Sequence, residues 1–258
     1  MKPLLRWMLD TVLPPSCLAC DAPVEREGQF CLNCFRAANF ITEPVCALCG
    51  VPMGPGGGGC CAPCLAQPRA FASARAALSY DDTARKLLLP LKYADHTEAV
   101  RGLAELMRRP GREMIAACTL IVPVPLHLSR LRGRRFNQAA LLAVALARAA
   151  ARPVDVEALE RVRATAPLEG LGLSARAAEL SGAIRARAGA RLAGQRVLLI
   201  DDVMTSGATA DECARALLAG GAARVEVLTV ARVGLRDLPP PERARAEGMK
   251  TAPRLGLA

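Results

Sequence analysis

The chain has 258 residues and 52% of them are hydrophobic, which suffices for the core of one medium domain and a small one. Aromatic residues make up only 3%, so the core must be aliphatic, and a base-stacking platform for nucleic acid is disfavoured. The formal net charge of +10 suits polyanionic partners such as nucleic acid or phosphorylated metabolites, although a chain that is simply rich in arginine would carry the same charge.

The N-terminal segment MKPLLRWMLDTVLPP predicts a short amphipathic helix over residues 1–15, ended by two prolines. Arg6 and Asp10 interrupt its apolar run and no small-residue cleavage site follows, so it is a poor signal peptide. The longest apolar stretches, such as 139–147, are too short to span a membrane. We therefore predict a cytoplasmic protein without an integral membrane segment, in which the cysteines are reduced thiols.

Nine of the 11 cysteines fall between Cys17 and Cys64, and eight of these nine form four CxxC pairs. One CxxC turn can place two thiolates on a metal ion, and two such turns complete a tetrahedral zinc site with four cysteines. The spacing therefore predicts a double zinc ribbon over residues 16–68 with two structural zinc ions. Sequential pairing gives Cys17, Cys20, Cys31 and Cys34 as the first ligand set, and Cys46, Cys49, Cys61 and Cys64 as the second.

Two alternatives remain open for the zinc ligands. Interleaved pairing of the four turns fits the same spacing, and Cys60 could replace Cys61. Because the segment has little apolar content, the metal would act as its core, and structural zinc contributes about 10–16 kcal/mol in small finger peptides. The two remaining cysteines, Cys118 and Cys213, lie in apolar surroundings and are predicted to be ordinary core residues.

From about residue 71 the pattern changes to short apolar strands that alternate with helices, which predicts a parallel α/β sheet in a domain over residues 71–235. The predicted strands are 73–80, 119–125, 196–201 and 224–232, and the predicted helices are 82–89, 97–107, 137–150 and 209–219. The Pro-rich, charged tail over 236–258 is predicted to be disordered.

The stretch VLLIDDVMTSGAT, residues 197–209, places Asp201 and Asp202 at the end of a buried strand. Ligands of parallel sheets bind at the carboxyl ends of strands. The loop that follows offers backbone N–H groups, hydroxyls and the start of a helix, which suits a phosphate monoester, while the carboxylates suit neighbouring hydroxyls. The combination predicts a site for a ribose 5-phosphate. A strand–turn–helix without a ligand, or paired acids that hold magnesium as in response-regulator receivers, are the alternatives.

Residues 197–209 resemble the fingerprint of the type I phosphoribosyltransferases: four hydrophobic residues, two acids, two variable residues, then Thr-Thr/Ser-Gly-x-Thr. The resemblance implies a parallel sheet flanked by helices. It also implies that Asp201 and Asp202 hold the ribose hydroxyls of phosphoribosyl pyrophosphate (PRPP), with magnesium bridging the hydroxyls and the pyrophosphate. The residues implied to hold the 5-phosphate are Thr205, Ser206, Gly207, Ala208 and Thr209.

The segment IVPVPLHLSRLRGRRFNQAALLA at 121–143 is similar to the ComF family of competence-associated proteins, which pair a double zinc ribbon with a phosphoribosyltransferase domain. The order of motifs also agrees, and the resemblance covers roughly residues 12–232. It implies pyrophosphate contacts from the segment after VPVP and from a flexible lobe at 161–187. The residues concerned are Pro125, Leu126 and His127, then Arg161, Arg163 and Arg176.

Three functions follow from the resemblance. The first is a PRPP-binding protein that supports DNA uptake in natural transformation. The second is an active phosphoribosyltransferase of nucleotide metabolism or salvage with an unknown acceptor. The third is a non-catalytic zinc-ribbon adaptor that binds single-stranded DNA, a helicase or a channel component. A basic strip fits DNA phosphates or, alternatively, pyrophosphate or solvent, and its members are Arg130, Arg132, Arg134 and Arg135.

Overall fold

The computed structural model describes residues 15–20, 22–26, 28–89, 91, 97–126, 136–163 and 173–234. A parallel sheet of four strands in the order β1-β6-β5-β2 forms its centre, and β3 and β4 make a separate antiparallel pair. The strands are β1 Ser73–Ser79, β2 Leu120–Pro123, β3 Leu159–Arg161, β4 Ile184–Ala186, β5 Arg196–Met204 and β6 Arg224–Arg232. The helices in these ranges are α1 Leu32–Ala37, α2 Ala62–Ala66, α3 Asp82–Leu88, α4 Thr97–Arg108, α5 Arg112–Ala117, α6 Gln138–Ala150, α7 Leu173–Leu180 and α8 Ala208–Ala219.

The predicted fold class is confirmed: a parallel sheet with flanking helices follows an N-terminal cysteine-rich part. The sheet strands and four of the helices begin and end within a few residues of the predicted positions. The prediction for β5 was too short, because this strand continues to Met204 and Asp201 pairs opposite Thr229 of β6. The predicted N-terminal helix and C-terminal tail lie outside the described residues, apart from residue 15.

Alternate residues of the central strand β5 pack into two different apolar layers, because successive side chains of a strand point to opposite faces of the sheet. Leu198 and Ile200 of β5 belong to one layer, which α3, α4 and α6 complete. Val197 and Leu199 belong to the other layer, which α8 completes. Cys118 is buried in the first layer and Cys213 in the second, so both are core residues.

The lobe formed by β3, α7 and β4 packs against α8. Its Arg176 also reaches Thr205, so the lobe lies beside the point where β5 ends and α8 begins. No helix in the described ranges has both the length and the apolar character that crossing a membrane requires.

Candidate functional site

The structure gathers the cysteines into two groups of four, in sequence order. The sulfur atoms of each group all lie within 4.8 Å of one another. Cys61, not Cys60, joins the second group. The first group is Cys17, Cys20, Cys31 and Cys34, and the second is Cys46, Cys49, Cys61 and Cys64.

Hydrogen bonds from backbone N–H groups lower the pKa of one cysteine in each group, which favours its thiolate form. The N–H of Cys34 is the main cause that lowers the pKa of Cys31 to about 7. Burial acts to raise the pKa of Cys46, but N–H groups of Cys49, Cys61 and Leu48 outweigh it and lower this pKa to about 6. Thiolates are the form that zinc binds. Because each group brings four sulfur atoms within 4.8 Å of one another, both are zinc-binding groups of the four-sulfur kind.

The two groups differ in their surroundings. All four cysteines of the second group are buried, whereas Cys20 of the first is exposed and two others are half-buried. Burial raises the pKa of Cys64 to about 11, the negative charge of Cys49 adds to this, and a hydrogen bond from Arg69 acts in the opposite direction. The second group lies in the same apolar layer as α8, so it is part of the core of the α/β unit.

The loop after β5 takes its shape from one glycine. Gly207 has a φ of 81°, and a Cβ at this position would lie 2.7 Å from the Met204 methyl group. α8 starts directly after it, so N–H groups of its first turn lie at the loop without partners inside the helix. The buried Ser206 hydroxyl accepts from the Ala208 N–H at 3.4 Å, Thr205 is exposed, and Thr209 is half-buried. The loop can present backbone N–H groups and hydroxyls to an anion.

The two carboxylates stand side by side and are half-buried. Asp201 Oδ1 accepts from the Asp202 N–H at 2.9 Å, and Asp202 Oδ1 accepts from the Val203 N–H at 2.7 Å. Burial raises the pKa of Asp201 well above its usual value, and the charge of Asp202 raises it further, while the charge of Arg161 lowers it. Crowded carboxylates of this kind gain from a cation or from hydroxyl donors, so the pair fits a magnesium-bound sugar diol.

Two of the three predicted lobe arginines lie at this site. The guanidinium of the buried Arg176 donates to Thr205 Oγ1 at 3.2 Å. Arg161 is close enough for its charge to act on Asp201. Arg163 instead donates to the backbone oxygens of Glu179 and Ser181, at 2.7 and 3.1 Å, and so holds the lobe together.

The predicted pyrophosphate segment begins at the same edge of the sheet. Pro125 and Leu126 lie two and three residues after the end of β2, which is the neighbour of β5, and the Val124 N–H between them and the strand donates to the Ile200 oxygen at 2.9 Å. Asn137 Nδ2 donates to the Val124 oxygen at 2.9 Å and fixes the segment from the start of α6. Five predicted residues lie outside the described ranges: His127, Arg130, Arg132, Arg134 and Arg135.

Sequence analysis missed Arg232 at the end of β6. Its guanidinium is buried and donates to four backbone oxygens. The partners are Cys49 at 3.2 Å, Met204 at 3.1 Å, Thr205, and Val233 at 2.9 Å. An arginine at the end of an apolar strand was the only available signal, and it did not indicate which segments the side chain joins.

Comparisons with known proteins agree with this architecture. A family model described as a double zinc ribbon domain matches residues 8–65, and one described as a phosphoribosyl transferase domain matches residues 137–245. DNA utilization protein YhgH of Escherichia coli O157:H7 is 30% identical over 233 residues, which cover 85% of this chain and 98% of the relative. Competence protein ComFC of Bacillus subtilis (strain 168) is 26% identical over 236 residues, with 84% and 94% covered.

Fold and cysteine groups together define a protein in which a double zinc ribbon precedes a phosphoribosyltransferase domain. The chain belongs to the ComF family, the family of YhgH and ComFC. Among solved structures, orotate phosphoribosyltransferase from Aeropyrum pernix is similar over 69% of this chain and 87% of its own, at 15% identity and a TM-score of 0.35.

Proposed function

We propose that the protein binds PRPP, or ribose 5-phosphate, with magnesium at residues 201–209, and that this binding supports the handling of incoming DNA in natural transformation. The observation that carries the proposal is the juxtaposition of a carboxylate pair with a glycine-shaped loop at a helix N-terminus. The names of the relatives, which refer to DNA utilization and competence, support the part that concerns DNA.

The chemistry of the described residues suits a phosphorylated sugar. Asp201 and Asp202 would accept hydrogen bonds from the ribose hydroxyls, and the N–H groups at the start of α8 would bind the 5-phosphate. Magnesium, when bound, would neutralise the charge of the pyrophosphate. Arg176 would hold Thr205 in place through the 3.2 Å hydrogen bond and add positive charge beside the loop. These residues position the ligand and compensate its charge, which is the main task of the protein in phosphoryl-sugar chemistry.

Isothermal titration calorimetry on the full chain tests the binding. We expect PRPP with magnesium to bind, and ribose 5-phosphate to bind more weakly because it lacks the pyrophosphate. Inorganic pyrophosphate serves as the control for simple charge attraction. Failure of both sugar phosphates to bind would contradict the proposal, and equal affinities for pyrophosphate and PRPP would assign binding to the basic charge rather than to the loop. Release of pyrophosphate with a nucleobase present would identify an active transferase.

The affinity for PRPP with magnesium is expected to increase with pH through the raised pKa of Asp201. Below that pKa the folded protein holds a proton on Asp201, and the ligand must displace it. Folding raises the pKa of Asp201, so between the unfolded and folded pKa values the folded protein binds more protons than the unfolded chain. In the absence of ligand, the free energy of unfolding therefore decreases as the pH increases through this range. Isothermal titration calorimetry in two buffers of different ionisation enthalpy measures how many protons are released when the ligand binds.

Asp202→Asn provides the control for this pH dependence. Removal of the Asp202 charge should lower the pKa of Asp201 and move the pH dependence to lower pH. An affinity that does not change with pH, and no proton release in either buffer, would contradict the role assigned to Asp201.

A second proposal concerns single-stranded DNA, and the net charge of +10 together with the names of the relatives favours it. Reversing the charge of Arg132, Arg134 and Arg135 is expected to weaken DNA binding and to reduce its logarithmic salt slope by about 2, at about 0.7 per lost phosphate contact. PRPP binding should stay unchanged. Filter binding over a range of salt concentrations measures the slope.

Reversal of three exposed arginines elsewhere controls for net charge, and these are Arg36, Arg85 and Arg112. If this control lowers DNA affinity as much as the reversal of the strip, the strip is not a DNA site. Equal loss of DNA and PRPP binding in the strip variant would show one shared site instead of two.

A further inference from the structure

Arg232 joins the second cysteine group to the candidate phosphate loop, residues 205–209. Its Nε donates to the Cys49 oxygen, and its Nη1 donates to the oxygens of Met204 and Thr205. Among the described residues no carboxylate forms an ion pair with it. A buried charge must find its stabilisation in hydrogen bonds, so these carbonyl groups are held in place around the guanidinium.

A second contact runs along the same path. Arg69 lies five residues after Cys64, the last cysteine of the second group. Its Nη1 lies 3.9 Å from the position that a Cβ of Gly207 would occupy. The next residue, Ala70, donates its N–H to Asp211 Oδ1 in the first turn of α8 at 2.6 Å. The start of the phosphate loop is therefore linked to Cys49 through Arg232, and Arg69 and Ala70 lie near its end.

The second ribbon is itself fixed to the sheet. The Ala74 N–H of β1 donates to the Leu48 oxygen at 2.6 Å, and a Cβ at Gly50 would lie 2.4 Å from the Ala74 oxygen. The first ribbon contacts a different part of the molecule, because Gly28 lies against Gly102 of α4. Among the described residues, the hydrogen bonds that reach the loop from a zinc ribbon come from the second one, so a change at the second metal site would affect the loop.

We propose that Arg232 is a positioning residue that holds the phosphate loop in its binding shape against the second zinc ribbon. Zinc at the second site then supports ligand binding, although neither the metal nor Arg232 touches the ligand. Zinc at the first site has no such effect. The inference rests on the proposed function for its ligand, but the shape of the loop can be followed without any ligand.

The test compares Arg232→Met and Arg232→Lys with Arg75→Met. Arg75 serves as the control, since it also ties the second ribbon to the sheet by donating to the Ala47 oxygen at 3.2 Å, and its other hydrogen bond goes to the Ala74 oxygen of its own strand. Amide hydrogen exchange over residues 203–209 reports the loop, calorimetry reports PRPP affinity, and metal analysis reports zinc.

We expect Arg232→Met to keep both zinc ions, to exchange about tenfold faster over residues 203–209, and to bind PRPP about tenfold more weakly or worse. Arg232→Lys keeps the charge but loses the planar guanidinium group. Its loop exchange rate and its PRPP affinity should therefore lie between those of Arg232→Met and the wild type. Arg75→Met should have the same loop exchange rate, PRPP affinity and zinc content as the wild type. Cys49→Ser should accelerate exchange of the loop, and Cys31→Ser should not.

The inference would be overturned if residues 203–209 of Arg232→Met exchanged their amide hydrogens at the wild-type rate. It would also be overturned if exchange were accelerated equally over all of β5 and β6, because that would indicate a merely structural role. If Arg232→Met does not fold, Arg232→Lys decides by the same readout. Failure of the wild type to bind PRPP would refute the proposed function, while loop exchange would still decide the role of Arg232.

Discussion

Replacing both Asp201 and Asp202 by asparagine is expected to abolish measurable binding of PRPP with magnesium while leaving the fold and both zinc sites intact. Hydrogen bonds to charged groups contribute about 1.5–3 kcal/mol each, so the loss of two corresponds to about 3–6 kcal/mol, or an affinity lower by about two to four orders of magnitude. Asparagine keeps an oxygen in place to accept the N–H groups of Asp202 and Val203.

The same variant should be more stable than the wild type without ligand. Above the raised pKa of Asp201, its ionised carboxylate lies in a desolvated position beside a second negative charge, and the amide removes both costs. Thermal unfolding measures this, with Glu226→Gln as the control: a half-buried strand carboxylate that bonds to Ser73 and Arg224. Binding within threefold of the wild type would contradict the assignment of the carboxylates.

Loss of the second zinc site is expected to destabilise the whole protein, whereas loss of the first should spare the α/β unit. Cys46 is fully buried in the apolar layer that includes Leu199 of β5 and Leu217 of α8. Replacing a zinc ligand there removes a large part of the metal's contribution to stability, which is about 10–16 kcal/mol in small finger peptides. It also disturbs the packing of the core. We expect Cys46→Ser to lower the unfolding temperature by about 10 °C or more, at about 2–4 °C per kcal/mol.

Cys31→Ser is the matched variant of the first site, whose cysteines are partly exposed. It should unfold the first ribbon while the sheet unfolds near the wild-type temperature. Metal analysis together with differential scanning calorimetry measures both effects. Retention of both zinc ions in either variant would refute the ligand sets, and equal destabilisation by the two variants would refute the difference between the sites.

The sequence predicted the features that depend on neighbouring residues. β5 and α8 were predictable because a buried apolar run, paired acids and a glycine-containing loop stand within 13 consecutive residues, 197–209. The cysteine groups were predictable because CxxC spacing reflects the geometry of the metal. Whether the pairs combined in sequence or interleaved depended on the path of the chain, and the structure shows the sequential order.

The features that sequence analysis missed are short or depend on distant residues. α5 has six residues, and β3 and β4 have three each, which is too short for a helical or alternating period to emerge. The hydrogen bond from Arg232 to Cys49 joins residues 183 positions apart, and no local pattern reports it. Likewise, the separation of roles among the lobe arginines arises only when β3 and α7 pack beside the loop.

A crystal structure of the full chain with PRPP and magnesium is the most direct test of a phosphoribosyl site at residues 201–209. We expect the 5-phosphate within hydrogen-bonding distance of the N–H groups at the start of α8, and the ribose hydroxyls on Asp201 and Asp202. PRPP bound instead along the basic segment 130–135, or crystals grown in saturating PRPP with nothing bound at the loop, would contradict this site.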